Sequence, residues 1–195
     1  MKYTQIPSNT FKNLQLNSGI LLESFDPMSA TVSAASIMGA TTGGISFAAT
    51  PSYIDFGEDI DNCPKNMKEL KKLESWEAKM SGTFASATKE LVKKLVGAAD
   101  VAVDKITPRN DLTDKDFGDV WWVGDYSDVN TGENAGFMAI HLMNSLSTGG
   151  FQIQSTDKGK GQFAFEFMGH YSMSAQDTPP FEVYVKAGSP SPEAA

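Results

Sequence analysis

Residues 27–54 run for 28 positions without a charged side chain, in a chain of 195 residues of which 21% are charged. That gap limits what the segment can become. Ala, Ser, Thr and Gly dominate it, punctuated by Val32, Ile37, Met38, Ile45, Phe47, Tyr53 and Ile54, with Gly43 beside Gly44 and a proline at Pro51. A transmembrane helix needs roughly 20 predominantly apolar residues, which this mixture does not supply. A solvated loop would carry charge, and a single core strand would be shorter. The remaining solution is a long extended arm, placed at 27–60, whose neutral surface is covered by another protein surface. An arm of that kind belongs to an assembly protein.

The remainder fits one domain over residues 1–187. Apolar residues make up 41% and aromatic residues 10% of the chain, 12 of them Phe, enough for a buried core and too many for a disordered polymer. The net charge of −8 argues against nucleic-acid binding, which requires Lys and Arg to neutralise phosphates. An acidic surface instead lets an anionic polymer pass without sticking. Charge is also segregated: 65–99 holds eight Lys against four Glu, and 100–133 holds nine acids against Lys105, Arg109 and Lys115. Either these are two solvated faces of opposite sign, or one meets the other on a neighbouring copy. Cys63 is alone, which leaves no disulfide framework and no Cys cluster for zinc. The opening MKYTQIPSNTF has no apolar signal core, so synthesis in the cytoplasm is expected. Residues 188–195, GSPSPEAA, read as a disordered tail.

Period-two patterns dominate the organisation. Trp76, Ala78, Met80, Gly82 and Phe84 alternate with Glu77, Lys79, Ser81 and Thr83, and Phe163, Phe165, Phe167, Gly169 and Tyr171 alternate with Ala164, Glu166, Met168 and His170. Met138, Ile140, Leu142 and Leu146 share one side of a run at 137–146; Phe151 and Ile153 lead another strand; Phe181, Val183 and Val185 repeat the period. Val120, Trp121, Trp122 and Val123 form a strand that is bulky on both faces, and 14–22 adds a short strand followed by an apolar run. Gly-rich breaks between such runs predict an antiparallel meander. One helix is expected after Phe84, capped by Ser86 or Thr88, with Leu91, Val92, Leu95 and Val96 on one stripe, Lys93 and Lys94 on the outer side, and Gly97 at its end. The connection at 104–119 reads as turn-rich. The expected fold is mainly β: an antiparallel β-sandwich or open barrel with one packed α-helix and the long extended arm.

Motifs for chemistry are weak. Asp-Phe-Gly occurs at 55–57 and 116–118, but without a Gly-rich loop, a paired strand Lys or His-Arg-Asp, both triplets read as turns. Asp55, Glu58, Asp59 and Asp61 form an acidic cluster that fails the EF-hand spacing, as does the run at 114–119. His141 and His170 are placed to face each other across paired strands, yet two His without a third ligand are more often ordinary sheet residues. The Gly-Lys-Gly at 159–161 is a hairpin turn, lacking the helix and Ser/Thr of a phosphate loop. Trp121, Trp122 and Tyr126 would suit a sugar platform only if their rings shared a face, and adjacent strand residues point to opposite faces. No enzymatic activity, cofactor or metal is expected.

The run Gly-Ala-Thr-Thr-Gly-Gly-Ile-Ser-Phe-Ala-Ala-Thr-Pro at 39–51, the acidic stretch after it, the Lys-rich 65–72, the Ser-Gly-Thr at 81–83 and the Leu-Val-Gly-Ala-Ala at 95–99 together resemble the major tail tube proteins of long-tailed bacteriophages of Gram-positive hosts and related prophage elements. The resemblance covers residues 37–99; beyond them only the β-meander agrees. It implies a virion structural protein that forms hexameric rings, whose sheets join around a lumen and which stack into a tube for ejection of genome DNA. It also implies partners at the tube ends and inside it (terminator, distal-tail and tape-measure proteins) and no membrane. The inter-subunit arm would then carry Ile37, Met38, Gly43, Gly44, Ile45, Phe47, Pro51, Tyr53 and Ile54. Ring stacking would use Lys68, Lys71, Lys72, Lys93 and Lys94, and Asp125, Asp128 and Asp157 are candidates for the lumen. The alternative is a β-sandwich carbohydrate-binding or adhesin module.

Overall fold

The computed structural model describes residues 3, 5–132 and 134–189. The alternating runs form strands: β1 (Gln15–Leu22), β2 (Thr41–Asp55) and β3 (Lys71–Phe84), then the α-helix α1 (Lys89–Val96), a small hairpin of β4 (Ala99–Ala102) and β5 (Lys105–Pro108), and finally β6 (Gly118–Tyr126), β7 (Phe137–Ser147), β8 (Phe163–Met168) and β9 (Phe181–Lys186). Every pairing is antiparallel. The main sheet runs β1-β6-β7-β8-β3-β2. On one side β7 pairs with β6; on the other it pairs with β9 along Phe137–Leu142 and with β8 only at Leu146 and Ser147. That change of partner curls the sheet into a half-barrel.

The concave side is filled by Leu21, Met80, Phe84, Val120, Trp122, Leu142, Phe165 and Phe167, with Leu91 and Leu95 of α1 laid against them. Each large apolar side chain so buried stabilises the fold by roughly 1.5–3 kcal/mol. The helix forms where expected. Thr88 is its cap, its hydroxyl accepting from Leu91 N at 3.2 Å, and Glu90 sits at the positive end and Lys93 and Lys94 at the negative one. Trp121 and Val123 alternate to the convex side, where they join Leu22, Phe25, Phe137 and Ala139 in a second cluster. Phe25 packs edge-on against both Trp121 and Phe137.

The uncharged segment divides in two. Its first part turns back over its own subunit: Ala30 packs on the convex cluster, and Met38, 5% exposed, is a core residue. Met38 is therefore corrected from an arm residue to a core residue; its thioether fills the gap between α1 and the sheet. The second part is β2, an edge strand. Gly43 and Gly44 (φ +81° and +87°) form a bulge that shifts its register between Thr42 and Ile45, and Pro51, which has no N–H to give a ladder, is tolerated on an edge.

Other expectations change in detail. Phe151 and Ile153 are exposed and form no strand; Gln154 and Gln162 make a single bridge there, and Phe151 reaches only the edge of Phe163, ring centres 6.2 Å apart. The connection at 104–119 contains β5 of the small hairpin. The expected short strand and apolar run at 14–22 form one strand, Gln15–Leu22, with a bulge between Leu16 and Ile20, and β3 begins five residues before the clear alternation. In the expected disordered tail, Ser189 N donates to Asn134 O at 3.1 Å; residues 190–195 lie outside the described residues.

Candidate functional site

β2 and β3 pair along their whole length, from Thr41 with Phe84 to Asp55 with Lys71, yet β8 accompanies β3 only from Lys79 to Phe84. Beyond Ala78 the two strands form a ribbon with no third strand. Its root is anchored by Tyr171, whose hydroxyl accepts from Trp76 N at 2.8 Å, and by Phe181, which packs against Phe47 and Trp76. Past that root the ribbon leaves Tyr53 52% and Leu73 42% exposed, and its tip loop leaves Phe56 56% and Ile60 52% exposed. An isolated two-stranded ribbon is at best marginally stable in water, and contiguous exposed apolar side chains mark interaction surfaces.

The tip is nevertheless well ordered by polar contacts. Asp55 ends β2 with its carboxylate accepting from Gly57 N (2.9 Å) and Asn66 N (2.8 Å), and Phe56 N donates to Leu70 O (3.0 Å). The Gly57 N–H and then the Asn66 N–H hold the Asp55 carboxyl below its ordinary pKa of 3.8. Lys71 lies over the Tyr53 ring, 5.5 Å from its centre. Asp55 thus organises the tip turn, and Glu58, Asp59 and Asp61 are exposed on the tip surface. Among the described residues no group of three His, Cys, Asp or Glu side chains is arranged to hold a metal ion.

Beyond the Phe84 end of the hairpin, α1, the β4–β5 hairpin and the turn at 114–118 border a cleft of about 290 Å³, lined by Lys89, Lys93, Lys94 and Lys115 interspersed with Glu23, Glu90 and Asp116 around Val101, Phe117 and Phe167. Its wall is fixed by Arg109, the one arginine of the chain. Arg109 makes a two-pronged contact with Asp116 (2.6 and 2.8 Å), and its Nε lies 3.0 Å from Asp100 Oδ1, too poorly aligned for a hydrogen bond. Burial raises the Asp116 carboxyl, but bonds from Thr113 N, Arg109 and the Thr113 hydroxyl outweigh it and hold the group below 3.8.

The residues expected to stack rings are not together. Lys68, Lys71 and Lys72 are at the tip end of the hairpin, whereas Lys93 and Lys94 lie on α1, which follows the Phe84 end and packs back over the sheet beside Leu146 and Ser147. Lys94 is paired with Glu23 at 2.9 Å, and Lys68 with its neighbour Glu69. Of the other arm residues, Ile37, Tyr53 and Ile54 are exposed, whereas Ile45 and Phe47 turn one side to their own core. The lumen candidates are also dispersed: Asp125 accepts from Asn17 at 2.7 Å at the end of β6, Asp128 from Ser127 at 2.8 Å, and Asp157 sits in the 156–159 turn.

The histidines do not face each other. His141 stacks on Trp121 (3.9 Å) beside Asp119 (3.0 Å), and His170 bonds to Asn144 O (3.0 Å) and meets Phe117 edge-on. Trp121 and Trp122 are both buried and offer no platform. Sequence reasoning missed Phe56, Ile60 and Leu73 on the ribbon, Lys89 and Lys115 in the cleft, and the Arg109 clamp. The available signal was a lone arginine amid Asp100, Asp111 and Asp116. No protein-family model and no curated protein matches this sequence. Among the described residues no helix is long and apolar enough to cross a membrane.

Proposed function

We propose that this protein is a self-assembling structural subunit, and specifically a tail-tube subunit of a long-tailed bacteriophage or related prophage particle. The observation that carries the reading is the β2–β3 ribbon, whose outer half is paired with no third strand among the described residues while exposing Tyr53, Phe56, Ile60 and Leu73. Two further features support it. The half-barrel leaves β1, β2 and β9 as edges, a liability that closure of several copies into one continuous barrel would remove. Val183 and Val185 of β9 are exposed as well, as expected of an edge strand that a neighbour covers. With a net charge of −8, a tube of such subunits would repel DNA phosphates and let the genome slide. In this reading the protein is made in the host cytoplasm and ends in the virion tail, beside terminator, tape-measure and distal-tail proteins.

Sedimentation velocity over a range of concentrations, with negative-stain microscopy of the same samples, tests the proposal. Rings or hollow tubes are expected; a discrete monomer at every concentration and ionic strength refutes it.

A further inference from the structure

One row of side chains crosses the convex face from β1 to the edge strand β9: Leu22 lies opposite Trp121, Trp121 opposite His141, and His141 opposite Glu182. His141 lies flat on the Trp121 ring, with centres 3.9 Å and planes 8° apart, and a carboxylate stands at each of its nitrogens. Asp119 Oδ2 of β6 is 3.0 Å from Nε2, and Glu182 Oε2 of β9 is 3.6 Å from Nδ1. A carboxylate can only accept, so the shorter contact places the ring hydrogen on Nε2. The neutral ring then turns the lone pair of Nδ1 toward Glu182, and at 3.6 Å the two do not bond. Other donors hold both acids in place: Asp119 Oδ1 accepts from Asn144 N at 3.0 Å, and Glu182 Oε2 accepts from the Tyr184 hydroxyl. That bond, and then burial, raise the Tyr184 hydroxyl above its ordinary 10.0, so it remains a donor near neutral pH. Among the described residues neither acid is paired with a lysine or arginine. β9 itself is joined to the sheet through β7 alone.

We infer that His141 is a proton-operated clasp on the edge strand β9: the protonated ring donates to Asp119 and Glu182 together and ties β9 across β7 to β6, and the neutral ring releases Glu182. A proton taken from solvent by Nδ1 turns a lone pair that faces a carboxylate into a donor, and Glu182 closes to the charge-assisted distance of about 2.8 Å. The cation also rests on the face of Trp121, where the ring quadrupole attracts it. The groups that face the ring are Asp119 and Trp121 from β6 and Glu182 from β9, with Tyr184 behind Glu182. Imidazole is the side chain that ordinarily changes charge between about pH 5 and 8, a range in which carboxylates ordinarily stay ionised. The clasp is therefore closed on the acid side of that range and open on the alkaline side. Asp119 and Glu182 are each 46% exposed, so water screens both pairs and the effect is modest. His170 is built differently: its Nδ1 meets Asn144 O at 3.0 Å, its ring meets Phe117 edge-on, and no carboxylate is paired with it among the described residues. The clasp works within one subunit and needs no neighbouring copy.

The test uses the full chain in dilute solution, with Glu182→Gln and His170→Gln as variants. Near-ultraviolet circular dichroism reports folding. Amide hydrogen exchange of Phe181–Lys186, corrected for the intrinsic pH dependence of exchange, reports how firmly β9 is held. In the wild type, protection of β9 is expected to fall about fivefold between about pH 5.5 and about pH 8, the size of an ion pair between half-exposed groups. Phe163–Met168 of β8 serves as the reference and should not follow. Glu182→Gln keeps the shape and an oxygen for the Tyr184 hydroxyl but carries no charge, and it is expected to abolish the change; His170→Gln is expected to leave it. A wild-type β9 whose protection does not vary with pH overturns the clasp. So does a change that persists in Glu182→Gln or disappears in His170→Gln. If Glu182→Gln does not fold, His141→Gln replaces it and must abolish the change, and a persisting change counts against the clasp.

Discussion

Replacing Tyr53 and Phe56 by Ser separates assembly from folding. At 52% and 56% exposure, each ring leaves about 100 Å² of the roughly 200 Å² that an aromatic side chain can bury, and at about 25 cal/mol per Å² this is ~2.5 kcal/mol per ring. A neighbour that covers only half of that area still gains ~2.5 kcal/mol from the pair, close to two decades of concentration at ~1.4 kcal/mol per decade. Folding should change little. Neither ring belongs to a core cluster, and the local costs are the Lys71–Tyr53 contact and the lower strand preference of Ser, together about 1 kcal/mol. The assay is paired: sedimentation velocity for the assembly threshold and urea unfolding of the dilute protein for stability. A threshold that rises about a hundredfold with an unfolding midpoint near that of wild type is the expected outcome. The argument is refuted by a double variant that assembles at the wild-type concentration, or by one whose unfolding midpoint collapses, since the ribbon would then be part of the folding core.

Three further outcomes follow from the packing and the charges. Asp116 has a folded-state pKa below its ordinary 3.8, so its contribution to stability is complete above that value and is lost as the pH falls through the depressed one; Asp116→Asn should melt lower at pH 7 and lose less between pH 4 and pH 2, as thermal scans will show. Gly19 (φ +68°) leaves no room for a Cβ, which would sit 2.5 Å from Trp122 Nε1 and displace the 2.9 Å bond from that nitrogen to Ser18 O; Gly19→Ala should cost about 2–4 kcal/mol in chemical denaturation and shift the tryptophan emission. Phe84 is fully buried, 4.6 Å from the ring of Phe165, and Phe84→Ala should cost about 3–5 kcal/mol, with a monomer that unfolds before it assembles.

Much of the fold was legible along the chain because a strand with one wet face must alternate. Ala78, Met80 and Phe84 are buried beside exposed or half-buried Glu77, Lys79 and Ser81, and Phe163, Phe165 and Phe167 share the core side of β8. Val120–Val123 declared a strand buried on both sides for the same reason, and Thr88, Leu91 and Leu95 declared a short capped helix. Each of these signals is local: it depends on spacing along one element and not on what lies opposite.

The candidate surfaces were less legible, because they depend on partners far apart in the chain. The absence of charge in 27–54 says only that water is not the preferred neighbour. Only the tertiary structure decided that Met38 meets its own core while Tyr53 is left half exposed beside Lys71, since β8 stops accompanying β3 before the ribbon reaches Tyr53. The lysine-rich segment reads as one patch, but the hairpin keeps Lys71 at its tip end while Lys93 lies on α1, packed against the core of the sheet. Arg109 shows no function until Asp100 and Asp116 are folded around it. Sequence by itself determined which residues avoid water and with what period; the tertiary structure decided which of them find cover within the subunit, because cover is a property of surfaces brought together from distant parts of the chain.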